Sequence, residues 1–217
     1  MSVVNTSQRQ KIVIVNTGCA NISSVRFALE RLGVEVDVSD DVKVIKSADK
    51  VFLPGVGTAT AAMASIKQKA LVDALQTLTQ PVLGVCLGMQ LMVETSAEGG
   101  FQGTGNIECL NLMPGHVARM ESKGVRLPHM GWNNVAHNST HNIWKNIENN
   151  SFFYFVHSYY VEPDDSNVIL GTTNYGKKFT SVIHKDNIIA CQFHPEKSST
   201  KGLQFLKNFL TWNGDDH

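Results

Sequence analysis

The stretch Pro81–Gln90, PVLGVCLGMQ, constrains the fold more than any other part of the sequence. An apolar run ends at Cys86, which stands between Gly84 and Gly88, and a helical pattern follows. The G-x-C-x-G spacing is that of a nucleophile elbow, a sharp strand-to-helix turn that holds one reactive residue in a strained conformation. Glycines on both sides remove the side chains that would collide with neighbouring backbone. The stretch therefore predicts a buried strand, a turn at Cys86 and a helix.

Apolar runs and helical patterns alternate through the first half of the chain. We predict strands at Lys11–Val15, Val34–Val38, Val51–Gly57 and Pro81–Val85, and helices at Asn21–Gly33 and Thr58–Leu78. This alternation is typical of a parallel sheet covered by helices. The first half therefore predicts an α/β fold.

The second half is richer in strands. Strand-like runs occur at Phe152–Val156, Phe179–His184 and Ile188–Phe193, and Lys185–Asn187 is a credible hairpin turn between the last two. An amphipathic helix is predicted from Gly202 to the end of the pattern at Trp212. We expect a single α/β domain with a central, mostly parallel sheet flanked by helices and an added antiparallel region.

Composition excludes several classes of function. Lys and Arg total 19, as do Asp and Glu, so the formal net charge is zero and no basic surface for nucleic acid is indicated. The apolar runs are far shorter than the ~20 residues of a membrane span. The first ten residues are polar, and the four cysteines show no paired spacing, which is typical of reduced thiols. We expect a cytoplasmic protein with neither a nucleic-acid nor a membrane partner.

Cys86 has two interpretations on local sequence alone. Free cysteine is usually a small buried hydrophobe, and this is the default for Cys19, Cys109 and Cys191. At Cys86, the elbow also places the sulfur at a helix N-terminus, where unpaired N–H groups and the helix dipole favour a thiolate. The pentapeptide leaves both interpretations open, because such glycine spacings also arise by chance.

A thiol nucleophile requires a base, and the base requires an orienting group. His194 lies in CQFHPEKS with Glu196 two residues on, although a solvated strand end could carry the same pair. An extended chain would place the two side chains on one face, with roughly 6.5–7 Å between α-carbons. Pro195 favours that extension. The chain order, with the acid after the histidine, differs from that of the α/β-hydrolases.

A metal site is not predicted. His137 and His141 are four residues apart, but no third ligand or HExxH motif accompanies them. A surface turn is the simpler interpretation of this pair.

Together, these residues resemble the class I (triad-type) glutamine amidotransferases, which hydrolyse glutamine through a cysteine thioester and pass ammonia to a synthase. GVCLGMQ and FHPE are the two diagnostic stretches. FLPGVGTA, LPHMGWN and FYFVHSYY are similar to one branch, whose glutaminase serves a cyclase in histidine biosynthesis. A glutaminase of vitamin B6 synthesis and a non-catalytic regulatory module of the same fold are the alternatives.

The resemblance spans Lys11–Leu210 and implies the domain organisation and the partners. It implies a polar extension over residues 1–10, an amidotransferase domain over 11–212 and a polar tail over 213–217. The implied partners are L-glutamine and a cyclase subunit with a (β/α)₈ barrel, in a heterodimer. No cofactor is implied.

The resemblance also implies a role for each matching position. Cys86 would be the nucleophile, His194 the general base and then acid, and Glu196 the orienting residue. The oxyanion hole would use the backbone N–H groups of Val56 and Leu87. The implied glutamine-binding residues are Gly57, Gln90, His157, Ser158 and Tyr159. The implied positions at the partner interface are Asn21, Trp132, Tyr154 and Lys197.

Some positions stay open. Trp132 could equally be a core aromatic on its sequence alone. The opening loop NTGCAN departs from the family pattern, so no role is assigned to Asn16 or Cys19. The segment Ala97–Pro128 follows the pattern only loosely and is expected to contain loops.

Overall fold

The computed structural model describes residues 10–18, 20–99, 106–122, 124–138 and 140–215. The predicted extension up to residue 9, Cys19 and the last two residues of the predicted tail lie outside this range. The helices are α1 Ile22–Arg31, α2 Val42–Lys46, α3 Ala59–Gln68, α4 Val72–Gln76, α5 Leu87–Gln90 and α6 Ser199–Thr211. Short 3-10 helices lie at Asn142–Trp144, Ser166–Val168 and Pro195–Lys197.

Within the described residues, the strands form one large sheet and two smaller ones. They are β1 Ile12–Val15, β2 Val36–Ser39, β3 Lys50–Gly55, β4 Val82–Cys86, β5 Thr95–Ser96, β6 Ile107–Glu108, β7 Gly115–Arg119, β8 His129–Val135, β9 Ser151–His157, β10 Tyr159–Pro163, β11 Ile169–Tyr175, β12 Lys177–Lys185 and β13 Ile188–Cys191. Among the described residues, the large sheet has the order β11-β12-β13-β4-β3-β1-β2. The smaller sheets are β10-β7-β5-β6 and the antiparallel pair β8-β9.

The large sheet confirms the predicted α/β class. Strands β2, β1, β3, β4 and β13 are parallel neighbours, whereas β12 and β11 are antiparallel additions beyond β13. Every residue of β1, β3, β4 and β13 is buried, as expected where helices cover both faces of a parallel sheet. Cys86 ends β4 near the middle of the sheet, at the carboxyl edge where such folds bind ligands.

The core lies on both faces of this sheet. Side chains of β1 alternate between the two layers, with Ile14 in one and Val13 in the other. The first layer contains Leu29 of α1 and Phe209 of α6, and the second contains Ile66 of α3. These helices fix β3 and β4 from both sides and so hold the elbow. Across the ranges that the structure describes, every helix falls short of the length and apolarity that a membrane span requires.

The predicted single helix over Thr58–Leu78 is wrong, because the chain forms α3 and α4 with a turn between them. Ala70 has φ of +54°, and the N–H of Leu71 donates to the carbonyl of Ile66, which closes a Schellman-type end. Glycine usually occupies the left-handed position of such an end, whereas alanine is the best helix former. Local sequence therefore carries no signal for the break.

Candidate active site

Cys86 ends strand β4 in a sharp turn, with a backbone conformation that few residues adopt. Its φ of +54° and ψ of −110° lie outside the allowed regions for a residue with a Cβ atom, and helix α5 begins at the next residue. Such strain persists only where the surrounding structure holds it, and it concentrates at functional sites. The predicted elbow is therefore present, but α5 has only four residues, so its dipole is weaker than the sequence suggested.

Glycines let the backbone of this turn pack directly against β3. A Cβ atom built on Gly88 would lie 1.7 Å from the carbonyl oxygen of Leu53. A Cβ atom on Gly84 would instead meet the flexible end of Met92, 2.7 Å from its Sδ atom. Only Gly88 is thus required by fixed backbone, while Gly84 faces a side chain that can move.

His194 and Glu196 form a buried pair beside Cys86. The Nδ1 atom of His194 lies 2.8 Å from Oε1 of Glu196, and the two side chains are 5% and 2% exposed. Ser198 fixes the turn: its hydroxyl donates to the carbonyl of His194 at 2.6 Å and accepts from the N–H of Tyr154 at 2.9 Å. The structure thus brings together the three residues predicted as the catalytic set, and Ser198 was missed.

The predicted reason for this pairing is wrong. His194 is extended, but Pro195–Lys197 forms a 3-10 helix, so the chain does not continue as a strand to Glu196. Proline suits the first position of a helical turn, because its fixed φ and missing N–H cost nothing there. The turn, not an extended backbone, swings the carboxylate of Glu196 back to the imidazole.

The electrostatics favour a protonated His194. Burial alone lowers its pKa, but the hydrogen bond and charge interaction with Cys86, followed by those with Glu196, outweigh burial and raise the pKa to about 10. A charged imidazole next to a sulfur nucleophile can donate its proton to a leaving group. The pair can therefore supply both a nucleophile and a proton donor.

Two buried amides bridge the sulfur to the pocket wall. The amide nitrogen of Gln192 lies 3.7 Å from Sγ of Cys86, and its oxygen accepts from the amide of Gln90 at 3.0 Å. Gln90 also donates to the carbonyl of Tyr159 at 2.9 Å. Sequence reasoning missed Gln192, although its spacing of two from His194 in CQFH was a signal that both face the same side.

A pocket of about 330 Å³ opens over the sulfur. It is lined by the predicted catalytic, oxyanion and substrate residues Cys86, His194, Val56, Leu87, Gly57, Gln90, His157, Ser158 and Tyr159, and also by Glu98, Val156 and Lys197. Glu98 was not predicted, since it lies in the segment Ala97–Pro128, which follows the family pattern only loosely. Its carboxylate accepts from the N–H of Ala59 at 3.0 Å, and burial raises its pKa.

A buried pair of histidines lies at the wall of the pocket: His157 lines the pocket, and His129 contacts His157 from behind. His129 of β8 lies opposite His157 of β9 in the strand register, and Nδ1 of His129 is 3.0 Å from Nε2 of His157. Burial lowers the pKa of His129 to about 4 and that of His157 to about 3, so both rings are neutral at pH 7. His129 was missed because only the strand pairing brings it to the site.

Beside the pocket, strands β8 and β9 carry an exposed apolar face, which consists of Met130, Trp132 and Phe152. These side chains are 63%, 53% and 59% exposed. The interpretation of Trp132 as a core aromatic is therefore wrong. Its ring contacts that of Tyr154 edge-on, with centroids 5.9 Å apart.

The two remaining positions predicted at the interface lie elsewhere on the surface. Asn21 is exposed and caps α1 by accepting from the N–H of Ser24 at 3.4 Å. Lys197 is exposed at the rim of the pocket.

The histidine pair considered for a metal has structural contacts instead. His137 stacks on Trp144 with centroids 4.2 Å apart, and His141 accepts from the N–H of Ile143 at the start of a 3-10 helix. Within the ranges that the structure describes, no group of three or more His, Cys, Asp or Glu side chains is arranged to hold a metal ion.

Comparison with known proteins identifies the family. Residues 13–212 match the profile described as "Glutamine amidotransferase class-I". The chain is 52% identical over 209 residues to the imidazole glycerol phosphate synthase subunit HisH of Colwellia psychrerythraea, covering 92% of both chains. It is 49% identical to the subunit of the same name from Haemophilus influenzae, covering 92% of this chain and 96% of the relative.

Solved structures share the fold at low sequence identity. The structure of PurLQS from Thermotoga maritima contains a chain that aligns with a TM-score of 0.69 at 15% identity, covering 94% of this chain and 98% of the other. A glutamine amidotransferase from Thermotoga maritima aligns with a TM-score of 0.60 at 14% identity, covering 94% and 83%. These similarities support the fold alone.

Proposed function

This chain belongs to the class-I glutamine amidotransferases, and from that membership we propose that it is the glutaminase subunit of an imidazole glycerol phosphate synthase. The observation that carries the proposal is its identity of 52% and 49%, over 92% of the chain, to relatives named as that subunit. The reaction is hydrolysis of L-glutamine to glutamate and ammonia, and the ammonia serves histidine biosynthesis. These relatives favour this function over the vitamin B6 alternative.

The chemistry follows from the buried catalytic set. The sulfur of Cys86 attacks the side-chain amide carbon of glutamine, and a tetrahedral intermediate forms. Protonated His194 then gives its proton to the departing nitrogen, so that ammonia leaves and a thioester remains. Neutral His194 next takes a proton from water, which attacks the thioester and releases glutamate and the thiol. Glu196 holds the imidazole and stabilises its charged form.

The oxyanion of the tetrahedral intermediate needs donors in the pocket. The backbone N–H of Leu87 follows the nucleophile directly and, at the first turn of α5, has no partner within the helix. We assign the second donor to Val56, which lines the same pocket next to Gly57 with its φ of +91°. One missing donor costs roughly 10²–10³ in rate.

The pocket offers complementary groups to the amino-acid end of glutamine. Glu98 supplies a carboxylate for the α-ammonium group, and Gln90 together with the loop His157–Tyr159 forms the opposite wall. A volume of about 330 Å³ lies at the lower end of small-molecule sites, which suits a single amino acid.

The cyclase subunit, with its (β/α)₈ barrel, docks on the exposed apolar face formed by Met130, Trp132 and Phe152. Large exposed apolar side chains clustered on one face mark interaction sites, and interfaces are enriched in Trp, Phe and Met. Val156, which pairs with Met130, lines the pocket, so docking here forms a heterodimer next to the source of ammonia.

The cysteines support a cytoplasmic location. Cys86, Cys109 and Cys191 are free, buried thiols, as is usual in a reducing compartment.

Measurement of glutamate release tests this function, with and without the cyclase subunit. We expect release that the partner stimulates and that Cys86→Ala abolishes. The Cys86→Ala complex should still cyclise when ammonia is supplied in solution, because its partner is intact. Glutaminase activity that survives the substitution would contradict the nucleophile assignment, and no glutamate release by the complex would contradict the function.

A further inference from the structure

A continuous chain of hydrogen bonds runs from strand β8 into the loop of the pocket. The side-chain nitrogen of Asn133 lies 3.3 Å from Nε2 of His129, and Nδ1 of His129 lies 3.0 Å from Nε2 of His157. Nδ1 of His157 then lies 2.8 Å from the carbonyl oxygen of Tyr159. Four residues are thus joined across β8, β9 and the start of β10.

The groups at the two ends of this row of hydrogen bonds determine which atoms donate and which accept along it. The carbonyl of Tyr159 can only accept, so Nδ1 of His157 carries the proton and Nε2 of that neutral ring must accept. At the other end, the nitrogen of Asn133 donates to the carbonyl of Asn174 at 3.0 Å, while its oxygen accepts from the N–H of Asn134 at 2.8 Å. The amide of Asn133 therefore presents a donor to His129, whose proton must lie on Nδ1, facing His157.

Packing leaves the ring of His129 little freedom. It stacks on Tyr175 with centroids 3.9 Å apart and on Phe155 with centroids 4.9 Å apart, and it is 2% exposed. His157 is 6% exposed and packs against Phe179, with centroids 5.0 Å apart. A buried imidazole nitrogen without its partner would be costly, because water cannot replace the lost bond there.

We propose that His129 is a positioning residue that sets the ring of His157, and through it the backbone at Tyr159, for binding of glutamine. This inference rests on the proposed function, because it takes the loop His157–Tyr159 to bind the substrate glutamine. The carbonyl of Tyr159 accepts from His157 and from Gln90 at 2.9 Å, so two donors from different elements define its orientation. His129 supplies the bond that keeps one of these donors in its tautomer.

Two substitutions at His129 separate positioning from packing. His129→Phe keeps an aromatic ring in the stack but removes the donor to His157. His129→Asn gives up the ring but places an amide N–H near the position of Nδ1. For the complete complex, we expect His129→Phe to raise the KM for glutamine about three- to tenfold, as one lost hydrogen bond predicts, with kcat nearly unchanged. His129→Asn should recover most of that loss.

A second measurement uses labelling of Cys86 in the full-length chain. A glutamine analogue with a diazoketone at its side-chain end requires the substrate loop, whereas iodoacetamide requires only the thiol. His129→Phe should slow labelling by the analogue by a similar factor and leave labelling by iodoacetamide unchanged. A purely structural role would lower both rates or neither.

The wild-type protein provides a test that does not depend on variant folding. Nitrogen NMR of the imidazoles should report neutral rings protonated at Nδ1 for both His129 and His157. A proton on Nε2 of either ring would overturn the proposal, as would a wild-type KM in His129→Phe or a change confined to kcat. If the wild-type complex released no glutamate, the proposed function would fail, whereas a failure confined to the His129 variants would leave it standing.

Discussion

Substitution of Gly88 by alanine has two opposite effects on stability, and the structure shows which of them is larger. Gly88 lies inside α5, where alanine in place of glycine favours the helix by roughly 0.5–1 kcal/mol. The added Cβ atom, however, would lie 1.7 Å from the carbonyl oxygen of Leu53 in the buried strand β3. The contact distance for these atoms is above 3 Å, so α5 and β3 must separate by more than 1 Å along this direction.

Core overpacking typically costs about 1–3 kcal/mol and occasionally more, and here both colliding groups are backbone. We therefore expect Gly88→Ala to lower the free energy of unfolding by at least about 3 kcal/mol. For a chain of this size, each kcal/mol shifts the melting temperature by about 2–4 °C, so a loss of about 3 kcal/mol or more corresponds to a decrease of at least about 6–12 °C. Because the elbow carries Cys86, glutaminase activity should fall by more than about tenfold even in the folded fraction.

Gly84→Ala is the matched control, since it lies two residues before Cys86 as Gly88 lies two after. Its Cβ atom would meet the movable end of Met92 at 2.7 Å and Cβ of Ala190 at 3.1 Å. We expect a loss below about 1.5 kcal/mol and retained activity. Urea unfolding and glutamate release would be measured for both variants. A Gly88→Ala protein as stable as the wild type, or no more damaged than Gly84→Ala, would refute the steric argument.

Three further predictions concern the site and its surface. Glu196→Gln should lower kcat by up to about 10⁴. It should also lower the pKa of His194, so that the alkaline limb of the pH–rate profile shifts to lower pH. An unchanged rate would mean that Glu196 has only a structural role. Trp132→Ala should weaken cyclase binding by about 2 kcal/mol in titration calorimetry, with little loss of melting temperature, whereas Val38→Ala on the distant edge strand should change neither. The free energy of unfolding should decrease as the pH falls from 6.5 towards about 4, because His129 binds a proton in the unfolded chain before it does so in the folded one. Urea unfolding midpoints measured across this pH range should show the decrease, and it should be smaller in His129→Phe.

Local patterns were sufficient to predict the buried strands and the elbow, because their signals lie within a few residues. The glycines around Cys86 and the β-branched runs report constraints that act along the chain itself. The break at Ala70 and the shortness of α5 were not predictable, since neither carries a glycine or proline stop signal. Helix propensity alone therefore does not place either helix end.

The pairing of His194 with Glu196 shows which features a sequence pattern can predict and which it cannot. Two side chains separated by one residue can meet from an extended chain or from a tight turn, so their spacing predicted the contact but not the conformation. The choice depends on Ser198, whose hydroxyl donates to the carbonyl of His194 and accepts from the N–H of Tyr154 on β9. Ser198 lies two residues after Glu196 and is hydrogen-bonded to a strand 44 positions earlier, so a contact distant in sequence holds this turn. His129 illustrates the same point, because its partner at the site is 28 positions away and only the register of β8 with β9 joins them.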